Sequence, residues 1–247
     1  MIRRLIALSL GLVLAASVGA SAQDKKAFTP QQSQEVERIV REYLSKHPEI
    51  IYEAVKTLEA REQAQQAENA KAAIEKFKDK LVNNSVSPVL GNPKGDVTVV
   101  EFFDYQCPYC RKVVEPTFST VAKDGKIRYV LKELPILGPE STYAAKASLA
   151  AHKQGKYREF HLALMEQKTR LSEAVVMAAA EKLGLDTKRL KRDMEAAEVE
   201  EELKQNLELA RALRIDGTPA FIVGGQMAPG AIDGERLATM VKDARKS

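Results

Sequence analysis

The sequence predicts an α/β fold in which a buried strand leads into a helix that begins at a pair of cysteines. Residues 97–103 form a nearly continuous run of β-branched and aromatic side chains. Such a run is typical of a strand that is buried on both faces. Cys-Pro-Tyr-Cys follows at residues 107–110, and residues 111–122 then carry valine and phenylalanine at helical spacing. The two cysteines are therefore predicted to lie at a strand-to-helix junction.

Cys107 is expected at or next to the N-terminus of this helix. The free backbone N–H groups and the positive end of the helix dipole favour a thiolate there, which is the form that attacks disulfides. Pro108 suits the first helical turn, where a missing N–H costs nothing. Cys110 lies one turn further on and is expected to be more buried. We therefore predict that Cys107 is the nucleophile and Cys110 the resolving thiol.

Two other uses of the cysteines are less consistent with the sequence. Cys107 and Cys110 are the only cysteines among 247 residues, and a structural disulfide that closes so short a loop removes little entropy from the unfolded chain. A zinc site needs about four ligands. No second cysteine pair exists, and His47, His152 and His161 show no pairing with the motif. We predict a redox-active pair and no cofactor.

The first 22 residues have the pattern of a secretory signal peptide. Two arginines precede an apolar run from Leu5 to about Val18, and the small residues 20–22 suit a cleavage site. The run is short for a membrane span, which needs about 20 residues. We predict a mature chain from about Gln23 in an oxidising compartment such as a bacterial periplasm. An uncleaved membrane anchor is the alternative.

The charge of the chain argues against one class of partner. The formal net charge of +4 includes the two N-terminal arginines, so the mature chain carries about +2. Acidic and basic residues are interspersed, as on an ordinary solvated surface, and we predict no nucleic-acid partner. A mature length of about 225 residues permits one elaborated domain or a domain with an appendage.

Residues 29–60 carry two apolar stripes at helical spacing, at residues 36–44 and 50–58. Thr29 and Gln32 predict a capping box at the start of the first helix, and a break at His47-Pro48 separates the two stripes. Residues 59–80 are rich in alanine, glutamine, glutamate and lysine, and we interpret them as a solvated connector or an extended stalk. Two short amphipathic helices cannot build a core alone. The stripes are therefore expected to pack either on the catalytic domain or on copies of themselves.

Turn signals divide the remainder of the chain into further elements. Glycine, proline and asparagine mark residues 83–95 as a boundary, and residues 127–132 predict a second strand. Five helices are predicted between residues 139 and 214, at about 141–155, 157–167 and 172–184, from 186, and at 197–213, with Ser172 and Asp186 as caps. Residues 220–228 then predict a β-hairpin with a two-glycine turn, followed by a closing helix at 232–244.

Three segments carry a resemblance to a known family. They read Glu-Phe-Phe-Asp-Tyr-Gln-Cys-Pro-Tyr-Cys, Lys-Glu-Leu-Pro-Ile-Leu-Gly-Pro and Gly-Thr-Pro-Ala-Phe, at residues 101–110, 132–139 and 217–221. With these segments the chain from about Asp96 onward resembles the DsbA-like branch of the thioredoxin superfamily. Within that branch, it resembles most strongly the periplasmic suppressor-of-copper-sensitivity (ScsC-like) thiol oxidoreductases.

The resemblance implies a thioredoxin fold with an inserted helical subdomain, preceded by an N-terminal helical oligomerisation or stalk region. The predicted domains are the signal peptide at 1–22, an N-terminal helical region and linker at 23–90, and the catalytic domain at 91–247. The helical insertion is expected at about 139–214, because a plain thioredoxin fold needs only one crossover helix in this interval.

The resemblance also implies further site residues. Glu101 has the same offset from Cys107 as an acid of DsbA-like proteins that lies beneath the site and helps to move protons to and from the buried thiol. A surface-edge acid is the alternative interpretation of Glu101, and Lys132 is a candidate partner for it. Thr218 and Pro219 are expected to form a cis-proline loop that faces the cysteines and pairs with the substrate backbone.

The residues between the cysteines, Pro108 and Tyr109, are expected to contact substrate. They depart from the Pro-His pair of the strongly oxidising family members, and tyrosine cannot supply imidazolium charge at neutral pH. We therefore expect a less stabilised thiolate and a milder oxidant. Arg111 and Lys112 either add positive potential near the thiolate or are simply solvated charges.

The function predicted from these observations is thiol:disulfide exchange on cysteine-containing secreted proteins, with a membrane-bound redox partner that resets the site. Disulfide isomerase is the favoured activity, because an isomerase benefits from several sites around one substrate. The resemblance implies a homo-oligomer through residues 29–60, with a trimer as the expected number. A dithiol oxidase of DsbA type is one alternative. The other is a copper-binding protein that holds Cu(I) between Cys107 and Cys110, since Cu(I) favours paired thiolates.

Overall fold

A computed structural model describes residues 28–246 of the chain. The predicted signal peptide lies outside the described residues. The chain divides into two compact units, with the division between Leu58 and Glu59. Within the described residues, no helix combines the length and the apolar character needed to cross a bilayer.

The first unit contains α1 (Pro30–Lys46) and the beginning of α2 (Glu49–Val82). Thr29 and Gln32 form the capping box that the sequence predicts, and the chain breaks between the two helices at His47-Pro48. No residue of α1 is buried. The apolar side chains of both stripes are largely exposed, among them Val36, Ile39, Val40, Tyr43, Ile51, Val55 and Leu58.

The second unit begins in the middle of α2 and not at the predicted boundary of residue 91. Residues 59–80 were expected to be a solvated connector, and most of them are exposed. The last turns of α2 differ from this expectation. Ile74 and Leu81 are buried in a cluster with Val100 and Ile222 of the sheet, because the few large apolar residues of this segment share one face.

The sheet has the strand order β1-β3-β2-β4-β5. Strands β2 and β3 are parallel, and the other neighbouring pairs are antiparallel. The strands are β1 (Val89–Gly91), β2 (Val97–Phe103), β3 (Ile127–Glu133), β4 (Ala220–Val223) and β5 (Gln226–Pro229). Strand β1 was not predicted, because it is short and lies inside the turn-rich boundary segment.

Helices cover both faces of the sheet. They are α3 (Pro108–Asp124), α4 (Pro139–His152), α5 (Tyr157–Met165), α6 (Glu173–Lys182), α7 (Thr187–Met194), α8 (Ala197–Ala212) and α9 (Gly234–Ala244). One core cluster holds side chains of α3 to α7 and of α9, and the other holds side chains from the ends of α2 and α8. This arrangement confirms the predicted α/β architecture, in which α4 to α8 are the helical insertion between β3 and β4.

Candidate active site

The two cysteines lie where β2 gives way to α3. Cys107 has extended backbone angles and is the N-cap of α3, and Pro108 occupies the first helical turn. Cys110 follows within the first turn and is fully buried, whereas Cys107 keeps 4% of its surface exposed. The local sequence produces this placement, because a proline favours the first turn and apolar residues at helical spacing draw α3 onto the sheet.

The surroundings of the two sulfurs shift their pKa values in opposite directions. A hydrogen bond from the Cys110 thiol is the largest cause that lowers the pKa of Cys107 to about 5, and the Thr218 side chain and the backbone N–H groups of Tyr109 and Cys110 add to it. Burial opposes this shift. The pKa of Cys110 is raised, first by burial, then by its hydrogen bond to Cys107 and by the charge of Glu101. Cys107 is thus the thiolate at neutral pH and Cys110 the thiol.

The segment that connects α8 to β4 faces Cys107. The Thr218–Pro219 peptide bond is cis, as the resemblance implied. The Sγ atom of Cys107 lies 3.1 Å from the carbonyl oxygen of Thr218, to which it donates a hydrogen bond when it is protonated. The carbonyl of Pro219 accepts a hydrogen bond from the N–H of Gly230, which ties this loop to the end of β5. The backbone of Thr218 is therefore positioned directly beside the reactive sulfur.

Glu101 is a buried carboxyl on the central strand, with 2% of its surface exposed. Burial raises its pKa to about 8, and a hydrogen bond from the Tyr129 hydroxyl opposes the rise. The surface-edge alternative for Glu101 is therefore wrong. Tyr129 was not singled out in the sequence. It lies on β3 on the same face as Glu101, since it is two residues from Leu131, the register partner of Glu101.

Lys132 is not the partner of Glu101. In the parallel register Glu101 lies opposite Leu131, and Lys132 lies opposite Phe102, so the two charged side chains leave opposite faces of the sheet. Lys132 is fully buried. Its Nζ atom donates to Ser87 Oγ at 2.7 Å and lies 3.5 Å from a carboxylate oxygen of Glu202.

Neither basic residue that follows the motif makes a hydrogen bond to a sulfur atom within residues 28–246. Arg111 donates to the backbone oxygens of Tyr105 and Gln167, at 3.0 and 2.8 Å. The Nζ atom of Lys112 lies 5.5 Å from the centre of the Tyr109 ring, and 58% of the Tyr109 surface is exposed. Arg111 thus fixes the loops around the site, and Tyr109 presents an open aromatic surface next to Cys107.

Asp104 holds together the loops around the site, a role that was not predicted from the sequence. Its buried carboxylate accepts hydrogen bonds from the N–H of Gln106 at 2.7 Å and from the hydroxyl of Ser141 at 2.7 Å. It also accepts from the N–H groups of Ile136 and Leu137, at 2.9 and 3.0 Å. An aspartate between an apolar strand and the start of a helix is the feature of the sequence that could have indicated this role.

A second buried carboxyl, Glu133, lies on the same face of the sheet as Glu101, two residues beyond Leu131. The hydroxyl of Tyr157 donates to Glu133 at 2.8 Å, and that of Tyr105 lies 3.3 Å away. Burial raises the pKa of Glu133 well above its usual value. The Nδ1 atom of His161 is 3.0 Å from the Tyr105 hydroxyl, and burial lowers the pKa of His161 to about 3.

The profile of the DSBA-like thioredoxin domain matches residues 98–242, which is more than half of the chain. The chain belongs to the DsbA-like thioredoxin family. The profile of the copper resistance protein ScsC N-terminal domain matches residues 32–65 as well. These two matches confirm the resemblance found in the sequence, and they confirm the predicted thioredoxin fold with an N-terminal stalk region.

Two solved structures and one curated protein illustrate the family. A thioredoxin-like oxidoreductase from Silicibacter pomeroyi is 48% identical, with 68% of this chain and 98% of that chain covered and a TM-score of 0.67. Proteus mirabilis ScsC is 31% identical, with 90% and 99% covered and a TM-score of 0.67. A Na(+)/H(+) antiporter NhaA 3 from Salinispora tropica is 33% identical over 63% of this chain. The chain spans 24% of that antiporter's length.

Within residues 28–246, no group of three or more histidine, cysteine, aspartate or glutamate side chains is arranged to hold a metal ion. The predicted absence of a cofactor and of a metal stays a prediction.

Proposed function

We propose that this protein catalyses thiol:disulfide exchange on cysteine-containing proteins, with Cys107 as nucleophile, Cys110 as resolving thiol and Glu101 as proton carrier. The observation that carries the proposal is the position of Cys107. It caps α3, its pKa is lowered to about 5, and it lies 3.1 Å from the carbonyl of Thr218. A thiolate at a helix N-terminus beside an available backbone edge can attack a disulfide in an extended polypeptide.

The reduced protein acts on a substrate disulfide in two steps. The Cys107 thiolate attacks one substrate sulfur, a mixed disulfide forms, and the other substrate sulfur leaves as a thiolate that takes a proton. Cys110 then loses its proton and attacks Cys107, which releases the second substrate thiolate. Two electrons pass from the cysteine pair to the substrate, and the pair ends as a disulfide. Oxidation of a substrate dithiol is the same sequence in reverse.

Glu101 is suited to the proton transfer in the second step. Cys110 is fully buried and its pKa is raised, so its proton needs an acceptor inside the protein. The carboxyl of Glu101 has a pKa of about 8, close to neutral pH, where a group both accepts and returns protons most effectively. Tyr129 holds the carboxyl in place through its hydroxyl.

Thr218, Pro219, Pro108 and Tyr109 are proposed to contact the substrate. The backbone of Thr218 would pair with an extended substrate segment next to its cysteine, and Pro219 shapes this loop. Tyr109 offers an exposed aromatic ring beside Cys107, and Pro108 keeps the first turn of α3 free of an N–H group that would compete for hydrogen bonds.

Among the possible exchange reactions, the N-terminal region favours disulfide isomerisation. The exposed apolar stripes of α1 and of the beginning of α2 offer a surface for association with further copies of this chain. The match to an ScsC N-terminal domain at residues 32–65 supports this assignment. Several copies of Cys107 around one misfolded substrate would let one site hold the polypeptide while another repairs it. A trimer is proposed from the resemblance alone.

The same family membership supports a periplasmic location, together with the signal-peptide pattern of residues 1–22. An isomerase must be kept reduced in such an oxidising compartment, so we propose a membrane-bound partner that returns electrons to the Cys107–Cys110 disulfide.

Refolding of ribonuclease distinguishes the proposed isomerase from the alternatives. The reduced protein should restore activity to scrambled ribonuclease, and the oxidised protein should act more slowly on reduced ribonuclease than a strong dithiol oxidase does. Cys107→Ala should abolish both activities. Activity on reduced ribonuclease alone would favour a dithiol oxidase. Stoichiometric Cu(I) binding without either activity would favour copper sequestration by the paired thiols.

A further inference from the structure

Arg214 adopts a backbone conformation that glycine normally adopts. Its φ is 57°, and among residues 28–246 it is the one residue other than glycine with a positive φ. An L-residue in this region is strained because its Cβ atom crowds the neighbouring carbonyl oxygen. A residue kept in such a conformation points to a role for its side chain.

The requirement for positive φ comes from the end of α8. The N–H of Arg214 donates to the carbonyl of Arg211 at 3.1 Å, and that of Ile215 donates to the carbonyl of Ala210 at 2.8 Å. This pair of bonds is the Schellman motif, and glycine suits its left-handed position best. The chain uses glycine in this conformation just after α3, α4 and α6, at Gly125, Gly155 and Gly184. Helix termination alone therefore does not account for an arginine at the end of α8.

The Arg214 side chain lines a cavity of about 210 Å³ next to the cis-proline loop. Ile215, Asp216, Thr218, Met227 and Pro229 also line this cavity. Thr218 joins the cavity to the reactive sulfur, because its carbonyl oxygen accepts the hydrogen bond from Cys107. A substrate segment aligned on Thr218 would place a neighbouring side chain at this cavity.

The charges at this cavity have no partners within the described chain. Arg214 and Asp216 are both exposed, and neither side chain makes a hydrogen bond or an ion pair with residues 28–246. No contact within the described part of its own chain accounts for the Arg214 side chain at this strained position. The guanidinium is therefore available to a bound molecule.

We propose that Arg214 is a specificity-determining residue that binds an acidic side chain of the substrate polypeptide close to its reacting cysteine. This inference rests on the proposed function, since Thr218 aligns the substrate only if the protein exchanges disulfides with polypeptides. A guanidinium binds a carboxylate through two parallel hydrogen bonds, which is why arginine suits this task better than lysine. Ile215 and Met227 provide apolar surface for the methylene groups of an aspartate or glutamate.

Asp216 limits this preference. Its carboxylate lines the same cavity and repels an acidic substrate side chain, so the site discriminates among substrates by two opposing charges. Removal of the Asp216 charge should therefore strengthen the preference that Arg214 creates.

The test measures single-turnover oxidation of dithiol peptides by the full-length protein with its Cys107–Cys110 disulfide formed. Two peptides carry glutamate or glutamine at two positions on either side of the reacting cysteine. Each peptide dithiol gives two electrons and two protons to the enzyme disulfide and becomes a disulfide itself. A tryptophan in the peptide reports the reaction, because the protein contains none.

The wild-type protein should oxidise the glutamate peptide about threefold faster than the glutamine peptide at low salt, as expected for a partly exposed ion pair. The ratio should fall to about one in Arg214→Gly and Arg214→Ala, and should rise in Asp216→Asn. It should also decrease as salt screens the charges. Arg211→Ala removes the same charge one turn earlier in α8 and should leave both rates unchanged.

Thermal unfolding separates this role from a structural one. Arg214→Gly should raise Tm by about 2–4 °C because glycine relieves the strained backbone, although the substrate preference is lost. Arg214→Ala should lose the preference without that rise in Tm. A wild-type ratio of one, or a ratio that both Arg214 variants retain, overturns the inference while the proposed function stands. Failure of the wild type to oxidise either peptide contradicts the proposed function itself.

Discussion

The hydroxyl of Tyr129 donates a hydrogen bond to the carboxyl of Glu101 across two neighbouring strands of the sheet. The bond stabilises the ionised carboxylate and opposes burial, which raises the pKa of Glu101 to about 8. The charge of Glu101 in turn raises the pKa of Cys110. Tyr129 therefore adjusts the group that is proposed to exchange a proton with the buried thiol.

Tyr129→Phe should raise the pKa of Glu101 above its present value of about 8. The variant loses the donor that favours the carboxylate, so the proton is released only at higher pH. The pH dependence of mixed-disulfide resolution by Cys110 should shift to higher pH by the same amount. Rapid-quench measurements of this step from pH 6 to 10 would detect the shift. An unchanged profile would show that the hydroxyl does not act on Glu101.

Glu101→Gln should slow the resolution step by on the order of 10²-fold at neutral pH, because glutamine keeps the shape of the side chain but cannot accept the proton. Glu133→Gln is the matched control, since Glu133 is equally buried on the same face and contacts Tyr157 and Tyr105. The control should keep the wild-type rate. Equal slowing in both variants would mean that any buried carboxyl in this core affects the reaction without transferring a proton.

Cys107 should be alkylated with a midpoint at about pH 5. The hydrogen bond from Cys110 is the largest cause of this low value, so Cys110→Ala should raise the midpoint, whereas Cys110→Ser keeps a donor and should raise it less. Rates of iodoacetamide modification against pH give the titration, with mass spectrometry to locate the label. Modification of Cys110 before Cys107 would reverse the assignment of the two thiols.

Cys110→Ser should also trap mixed disulfides through Cys107.

Glu101→Gln should also stabilise the protein at neutral pH. The carboxyl has a pKa of about 8 when folded, against a usual value of 4.5. Near pH 4 both the folded and the unfolded states bind the proton, so the ionisation of Glu101 does not change the free energy of unfolding. As pH rises from 4.5 towards 8, only the unfolded state releases the proton, so the folded state loses relative stability.

The expected gain for Glu101→Gln is ~3 kcal/mol in the free energy of unfolding at pH 7, and close to zero near pH 4. Urea unfolding of the reduced protein at both pH values measures the difference. The same gain at both pH values would show that packing of the amide, and not the ionisation of Glu101, changes the stability.

A chain that begins at Glu59 should be a folded monomer. It lacks the exposed stripes of α1 and of the beginning of α2, but keeps Ile74 and Leu81 in the core. Light scattering should show one copy, against several for the intact protein. Its dithiol oxidation should persist, and its activity on scrambled ribonuclease should fall strongly. Equal isomerase activity per active site in the shortened and the intact protein would show that the stripes do not contribute to isomerisation.

A chain that begins at Gly91 should in contrast lose stability. It removes Ile74 and Leu81, and burial of two such side chains contributes about 3–6 kcal/mol. A lower midpoint of thermal unfolding than that of the chain from Glu59 would check this. Equal midpoints would mean that the last turns of α2 contribute little to the second unit.

The features that the sequence predicted well are those determined by neighbouring residues. The capping box at Thr29, the placement of Cys107 before Pro108 and the two-glycine turn at Gly224 each depend on a few adjacent side chains. Helix limits between β3 and β4 agree to within about three residues for the same reason, since Ser172 and Asp186 cap helices as expected.

The features that escaped prediction depend on strand register. Lys132 and Leu131 are adjacent in sequence but leave opposite faces of β3, and only the pairing with β2 decides which of them lies on the same face as Glu101. Tyr129 and Glu133 gain their importance from the same register. The burial of Ile74 was missed because two apolar residues in a polar helix become informative only when a complementary surface is known.

The four hydrogen bonds at Asp104 have a mechanical consequence for the catalytic cycle. The carboxylate ties the turn before Cys107 to the segment that enters α4, through backbone groups that carry no redox chemistry. We therefore expect this turn to keep its position in both oxidation states. We expect the first turn of α3 to accommodate the small movement that brings Sγ of Cys107 into a bond with Sγ of Cys110. The amides of Ile136 and Leu137 should then exchange with solvent deuterium equally slowly in the reduced and the oxidised protein.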